Sequence, residues 1–102
     1  MYNLFALKND PKKYAVVTPD KKIIYFGASG YSDFSIHKDK ERKQRYIDRH
    51  SKREDWSDLN KAGTWSRFIL WNEPTIKESI KDMEKRFNIQ INKLSKYPSI
   101  SK

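Results

Sequence analysis

The sequence predicts an α+β fold in which a small antiparallel β-meander at the N-terminus is covered by about three helices. Three observations carry that expectation. Runs of β-branched and aromatic residues crowd residues 2–27, helical spacing with capping residues marks 39–54 and 75–88, and the block between those helices is apolar on almost every side. With 102 residues there is room for one core that buries roughly two thirds of the unfolded surface. Residues 1–102 are therefore read as a single domain.

Tyr2 to Lys8 (YNLFALK) alternates weakly and ends in Asn9-Asp10-Pro11, which is turn chemistry. Lys13 to Thr18 (KYAVVT) and Lys22 to Phe26 (KIIYF) are β-branched and aromatic. Pro19-Asp20 between them supplies a fixed φ and a turn-favouring carboxylate, so the pair reads as a hairpin. Three strands within 1–27 form the meander, and its apolar face needs a cover. Gly27 and Gly30 then mark a turn out of the sheet; G-x-x-G is too short and too common to be read as a phosphate cradle.

Asp39 is placed to cap a helix over 39–54, with Glu41 in its first turn and Lys52 and Arg53 in its last, in accord with the helix dipole. Only Tyr46 and Ile47 are core candidates there, with His50 beside Ile47. The loop Asp55 to Gly63 is expected to be pinned by Trp56. Thr64 to Trp71 (TWSRFILW) predicts a short helix over 64–72 with Trp65, Phe68 and Ile69 in the core. Thr75-Ile76-Lys77-Glu78 is a capping box opening a helix over 75–88, whose Ile76, Ile80, Met83 and Phe87 share one face. Residues 89–102 are read as a basic tail.

Charged residues make up 34% of the chain and the net charge is +9, yet 14% aromatic residues point to a folded domain rather than a disordered polyelectrolyte. The excess is uneven: +3 falls in 37–55 and +4 in 77–102, while 56–76 is neutral. Such a balance implies a partner rich in phosphate or carboxylate, unless it only keeps the surface solvated. At helical spacing Arg42, Tyr46, Arg49 and Arg53 form one stripe, with Arg45 and Lys52 on its flank. Asp48, Glu41, Glu54 and Asp55 stand close enough in sequence to neutralise some of these cations. The candidate nucleic-acid contacts are Arg42, Arg45, Arg49 and Arg53, with Lys38, Lys43 and Arg67 around them, because a guanidinium fork holds two phosphate oxygens.

The chain has no Cys and two His, so neither a disulfide framework nor a structural metal is expected. No catalytic constellation and no cofactor motif stands out. No apolar run approaches about 18 residues, and no signal-like segment opens the chain. A soluble, non-secreted protein of a reducing compartment, without a membrane partner, is the expectation.

The stretch FGASGYSDFSIHKDKERKQRYIDRHSKREDW, followed by AGTWSRFILWNEPTIKESIKDMEKRF, resembles a functionally uncharacterised family of small basic proteins of large nucleocytoplasmic DNA viruses. The likeness spans residues 12–88 and is densest in GYSDF, IHKDKER, RYIDRH and AG-W-SR. It implies a viral origin, a place in the virion, host cytoplasm or viral factory, and packaging in the particle. The charge pattern, the arginine stripe and these likenesses together allow three functions. The first is a non-enzymatic module that binds nucleic acid, duplex DNA without sequence preference, with virion proteins as further partners. The second is a capsid or scaffold component whose basic face meets an acidic protein surface. The third is a nuclease, because Tyr14-Ala15-Val16 and Tyr25-Phe26-Gly27 ahead of a helix with Arg and His look like a degenerate GIY-YIG arrangement, with Glu73 or Glu78 as its metal-binding carboxylate. The Gly and Ile of that first motif are absent here, and the gap between the motifs is short.

Overall fold

The computed structural model describes residues 1–94 and has an α+β architecture. Strands β1 (Tyr2–Ala6), β2 (Lys12–Val17) and β3 (Ile23–Ala28) pair antiparallel in the expected meander. The register Leu4↔Val16 and Val16↔Ile24 stacks three apolar side chains on one face. Leu4, Val16, Ile24 and Phe26 there meet Trp65, Phe68, Ile69, Leu70 and Met83 of the helical layer. Trp65 and Ile69 are fully buried and Phe68 is 6% exposed, in line with their expected place in the core.

Two helices lie close to their expected bounds because their ends are capped. In α2 (Lys40–Ser51) the Asp39 carboxylate accepts from the amides of Glu41 and Arg42. In α4 (Ile76–Phe87) the Thr75 hydroxyl accepts from the Glu78 amide and donates to the Glu78 carboxylate at 2.8 Å. Asn88 closes α4 in a left-handed conformation, φ 54°.

Three features differ from expectation. A one-turn helix, α1 (Phe34–His37), precedes α2, capped by Asp33 and ended by Lys38 at φ 55°. The helix expected over 64–72 begins at Ala62 as α3 (Ala62–Trp65) and widens into a π-helical stretch over Ser66–Leu70, closed by the Trp71 amide donating to the Ser66 carbonyl at 3.1 Å. The wider turn carries Phe68, Ile69 and Leu70, all buried, where a run of consecutive apolar residues must face inward together.

The third correction concerns the segment read as a tail from residue 89. Ile91–Leu94 forms β4, parallel to β1 with Tyr2 opposite Ile91 and Phe5 opposite Leu94, so the sheet is mixed, with order β3-β2-β1-β4. Asn88 turns the chain back toward the sheet, and the Glu84 carboxylate then accepts from the Ile91 amide at 2.9 Å. The rest of the tail, residues 95–102, lies outside the described residues. Among the described residues no helix is long and apolar enough to cross a membrane.

Candidate polyanion-binding cleft

The site begins with how α2 is held. Tyr46, the buried residue of this mostly polar helix, stacks on Trp71 with ring centroids 4.3 Å apart and planes within 4°, and His50 stacks on it too, also at 4.3 Å, while Ile47 is only half-buried. Burial drives the Tyr46 phenol far above its ordinary value, so it stays neutral at any physiological pH. This anchor fixes the roll of the helix. Arg42, Arg49 and His50, each about one turn from Tyr46, then face the same cleft as Tyr46 and Trp71.

Opposite α2 stands the turn after β3. Gly27 and Gly30 have φ of +78° and +86°, which lets the chain leave the sheet sharply. Asp33 ends the turn. Its carboxylate accepts from the Ser35 amide at 2.9 Å and pairs with Lys13, whose side chain is 17% exposed against 3% for Asp33. Lys12 and Lys13 of β2 thus face the arginines of α2 across an opening of about 530 Å³, with Tyr31 on its rim and Ser66 and Leu70 also lining it.

A second acid holds the lower end. Glu54 Oε2 lies 2.9 Å from His50 Nδ1, a contact of charge when the imidazole is protonated. A Cβ on Gly63 would collide with Glu54 Oε1. Glycine there makes room for the carboxylate.

Of the acids that the sequence sets beside the arginines, Glu41 is exposed and forms no ion pair among the described residues, and the other three lie against other groups. Asp48 accepts from the Gln44 side-chain amide, Glu54 faces His50, and Asp55 accepts from the Ser57 amide. Among the described residues, Arg42, Arg45, Arg49 and Arg53 form no ion pair.

The structure divides the seven candidate cations. Arg42 and Arg49 line the cleft. Arg53 lines a smaller depression of about 240 Å³ with Asp55 and Lys61, and Arg45 is exposed outside both. Lys38 is exposed and donates to the Ser35 carbonyl at 2.9 Å. Lys43 is turned inward: its ammonium donates to the Asn72 carbonyl at 2.6 Å and sits 4.9 Å from the Phe34 ring, and burial lowers its pKa. Arg67 packs against the rings of Trp56 and Phe68 and donates to the Trp71 carbonyl at 2.9 Å. Its pKa is lowered by burial first and by Arg86 second. Lys43 ties α2 to Asn72 and to α1, Arg67 packs against its own stretch and the loop at Trp56, and neither lines the cleft.

Lys12, Lys13, Tyr31 and His50 are cleft residues that the helical stripe alone does not reveal. The signal for His50 is its i,i+4 relation to Glu54; the lysines have none, because β2 meets α2 only across the fold. The two tyrosines of the nuclease likeness lie on opposite faces of the sheet. Tyr14 packs on Phe26 at the core face while Tyr25, one step along β3, points to the other face of the sheet. Among the described residues no group of three or more His, Asp or Glu is arranged to hold a metal ion.

A family described as of unknown function (DUF5754) matches residues 3–50, a span that runs from β1 through His50 of α2 and includes Lys12, Lys13, Tyr31, Arg42 and Arg49. No curated protein and no solved structure matches the chain.

Proposed function

We propose that this chain is a small, non-enzymatic nucleic-acid-binding protein that contacts phosphates through the arginine face of α2, in the setting of virion-associated DNA packaging. One observation carries the reading: Arg42 and Arg49 line a cleft and form no ion pair among the described residues. Unneutralised guanidinium groups on one rigid face are what sequence-independent phosphate binding needs. Arg53 and Arg45 extend the exposed cationic surface beyond the cleft. A scaffold role would be favoured by an exposed tryptophan patch, but Trp65 is fully buried and Arg67 covers Trp56.

The test is fluorescence anisotropy with a labelled duplex across a salt series, comparing the parent with the Arg42→Gln, Arg49→Gln, Arg53→Gln triple variant. Each guanidinium withdrawn from a phosphate should reduce the slope of log affinity against log salt by about 0.9. Withdrawing all three would reduce it by about 2.7. Glutamine keeps helix propensity, so the thermal midpoint should hardly move. Unchanged affinity in the variant would sink the reading, and unfolding would assign the arginines to the fold instead.

A further inference from the structure

We infer that the cleft is a phosphomonoester site shaped for one phosphorylated nucleotide, the terminal residue of a strand or a free mononucleotide. The inference rests on the nucleic-acid reading and narrows it. A basic surface alone would serve any point along a phosphate backbone, whereas this cleft has features that suit a chain end.

Charge is the first. Four cations, Lys12, Lys13, Arg42 and Arg49, line the cleft with two carboxylates, Asp33 and Glu54. Asp33 is engaged by Lys13 and the Ser35 amide, and Glu54 Oε2 lies 2.9 Å from His50 Nδ1, buried and without a hydrogen-bond partner. Set against one another, the four cations and two carboxylates leave two positive charges in excess. An internal phosphodiester brings one negative charge, but a phosphomonoester brings about 1.5 to 2 and three strong acceptor oxygens. The balance favours the monoester.

Placement is the second. The cations come from two walls, β2 on one side and α2 on the other, so a group between them meets donors from both. Arg42 and Arg49 are seven residues apart, about 10 Å along a helix axis, within the convergent reach of two arginine side chains. Tyr46 stacked on Trp71 holds that helix rigid, so little ordering remains for binding to impose.

Size and the rim are the third. An opening of about 530 Å³ lies in the range of roughly 300–1,000 Å³ typical of small-ligand sites. It suits one nucleotide. Tyr31 on the same rim is 75% exposed and offers a flat face on which a terminal base can stack.

The experiment uses the unaltered protein and a 12-nucleotide single strand labelled at its centre, prepared with a 5′-phosphate, with a 3′-phosphate, or with neither. At physiological salt, at least one phosphorylated strand should bind about tenfold more tightly than the unphosphorylated one, the gain of one added charge-assisted hydrogen bond. Arg42→Gln with Arg49→Gln should abolish that difference, while Arg45→Gln, outside the cleft, should leave it. Competition by thymidine 5′-monophosphate as effective as that of the strand would mark the free nucleotide as sufficient, and weaker competition would mark the strand end; thymidine should not compete in either case. Equal affinity for all three strands would overturn the phosphomonoester site while leaving polyanion binding in place. Failure of every strand and of duplex to bind would overturn both.

Discussion

Gly27 allows the close packing of the cleft floor to be measured. At φ +78°, an alanine Cβ would stand 2.7 Å from Leu70 Cδ1 and 3.2 Å from Lys13 Cβ, and Leu70 is only 2% exposed. Holding an L-residue in the left-handed region costs about 1–2 kcal/mol. Pushing a buried leucine aside in a packed core costs about 1–3 kcal/mol. Gly27→Ala should therefore destabilise by about 2–5 kcal/mol, a large part of the ~5–15 kcal/mol available to a domain. Gly30 is the control, because its φ is +86° but nothing lies within 4 Å of an added Cβ. Gly30→Ala should cost only the backbone part, about 1–2 kcal/mol. Any gain from stiffening the unfolded chain is common to both variants and cancels in the comparison. Equilibrium urea unfolding followed by circular dichroism reads the two values. Thermal midpoints should follow, at about 4–8 °C per kcal/mol for a domain near this size. Losses equal to within about 0.5 kcal/mol, the usual reach of surface effects, would refute the argument, because Leu70 would then be yielding without cost.

Two further predictions concern the turn beside the cleft. His37 Nδ1 accepts from the Asp39 amide at 2.9 Å, so its proton sits on Nε2, which is buried without a partner. Its pKa is lowered from 6.5 by burial first and by Arg42 next, with Lys13 adding to the fall while Asp39 and Asp33 oppose it. The unfolded chain therefore binds more protons than the folded one just below pH 6.5, and stability should fall as pH drops through that value toward the lower folded pKa. Urea midpoints from pH 7.5 to 5 should show this loss, and His37→Gln should flatten it; an equally steep profile in the variant would assign the loss to other groups. Asp33→Asn keeps a good cap for α1 but strands the largely buried Lys13 ammonium, so a loss of about 3 kcal/mol is expected. Adding Lys13→Met should recover much of it in a double-mutant cycle, and strict additivity would show that the pair is not coupled.

Features that act within a few residues were legible without a structure. Turn residues at Pro19-Asp20, caps at Asp39 and Thr75, and the apolar spacing of Ile76, Ile80, Met83 and Phe87 are all of this local kind, so strand pairs and helix bounds could be read from the chain alone. Trp65, Phe68 and Ile69 were legible as core because no other segment offers comparable apolar surface. Of the cleft, the sequence showed the stripe that includes Arg42 and Arg49, since helical spacing is local as well.

Packing between residues far apart in the chain settled the rest. Ile91–Leu94 has too mixed a composition to declare itself a strand and becomes one by pairing with β1. Whether the arginines were free depended on side-chain choices: Asp48 turned to Gln44, and Glu54 turned to His50 in the space left by Gly63. Lys43 and Arg67 look like their cationic neighbours in sequence, yet both face inward, Lys43 toward Asn72 and Phe34 and Arg67 toward the rings of Trp56 and Phe68. The cleft is framed where Tyr46 lies flat on Trp71, which brings Arg42 and Arg49 of α2 into one lining with Lys12 and Lys13 of β2. Helical spacing states which residues share a face; only packing against distant partners states where that face points.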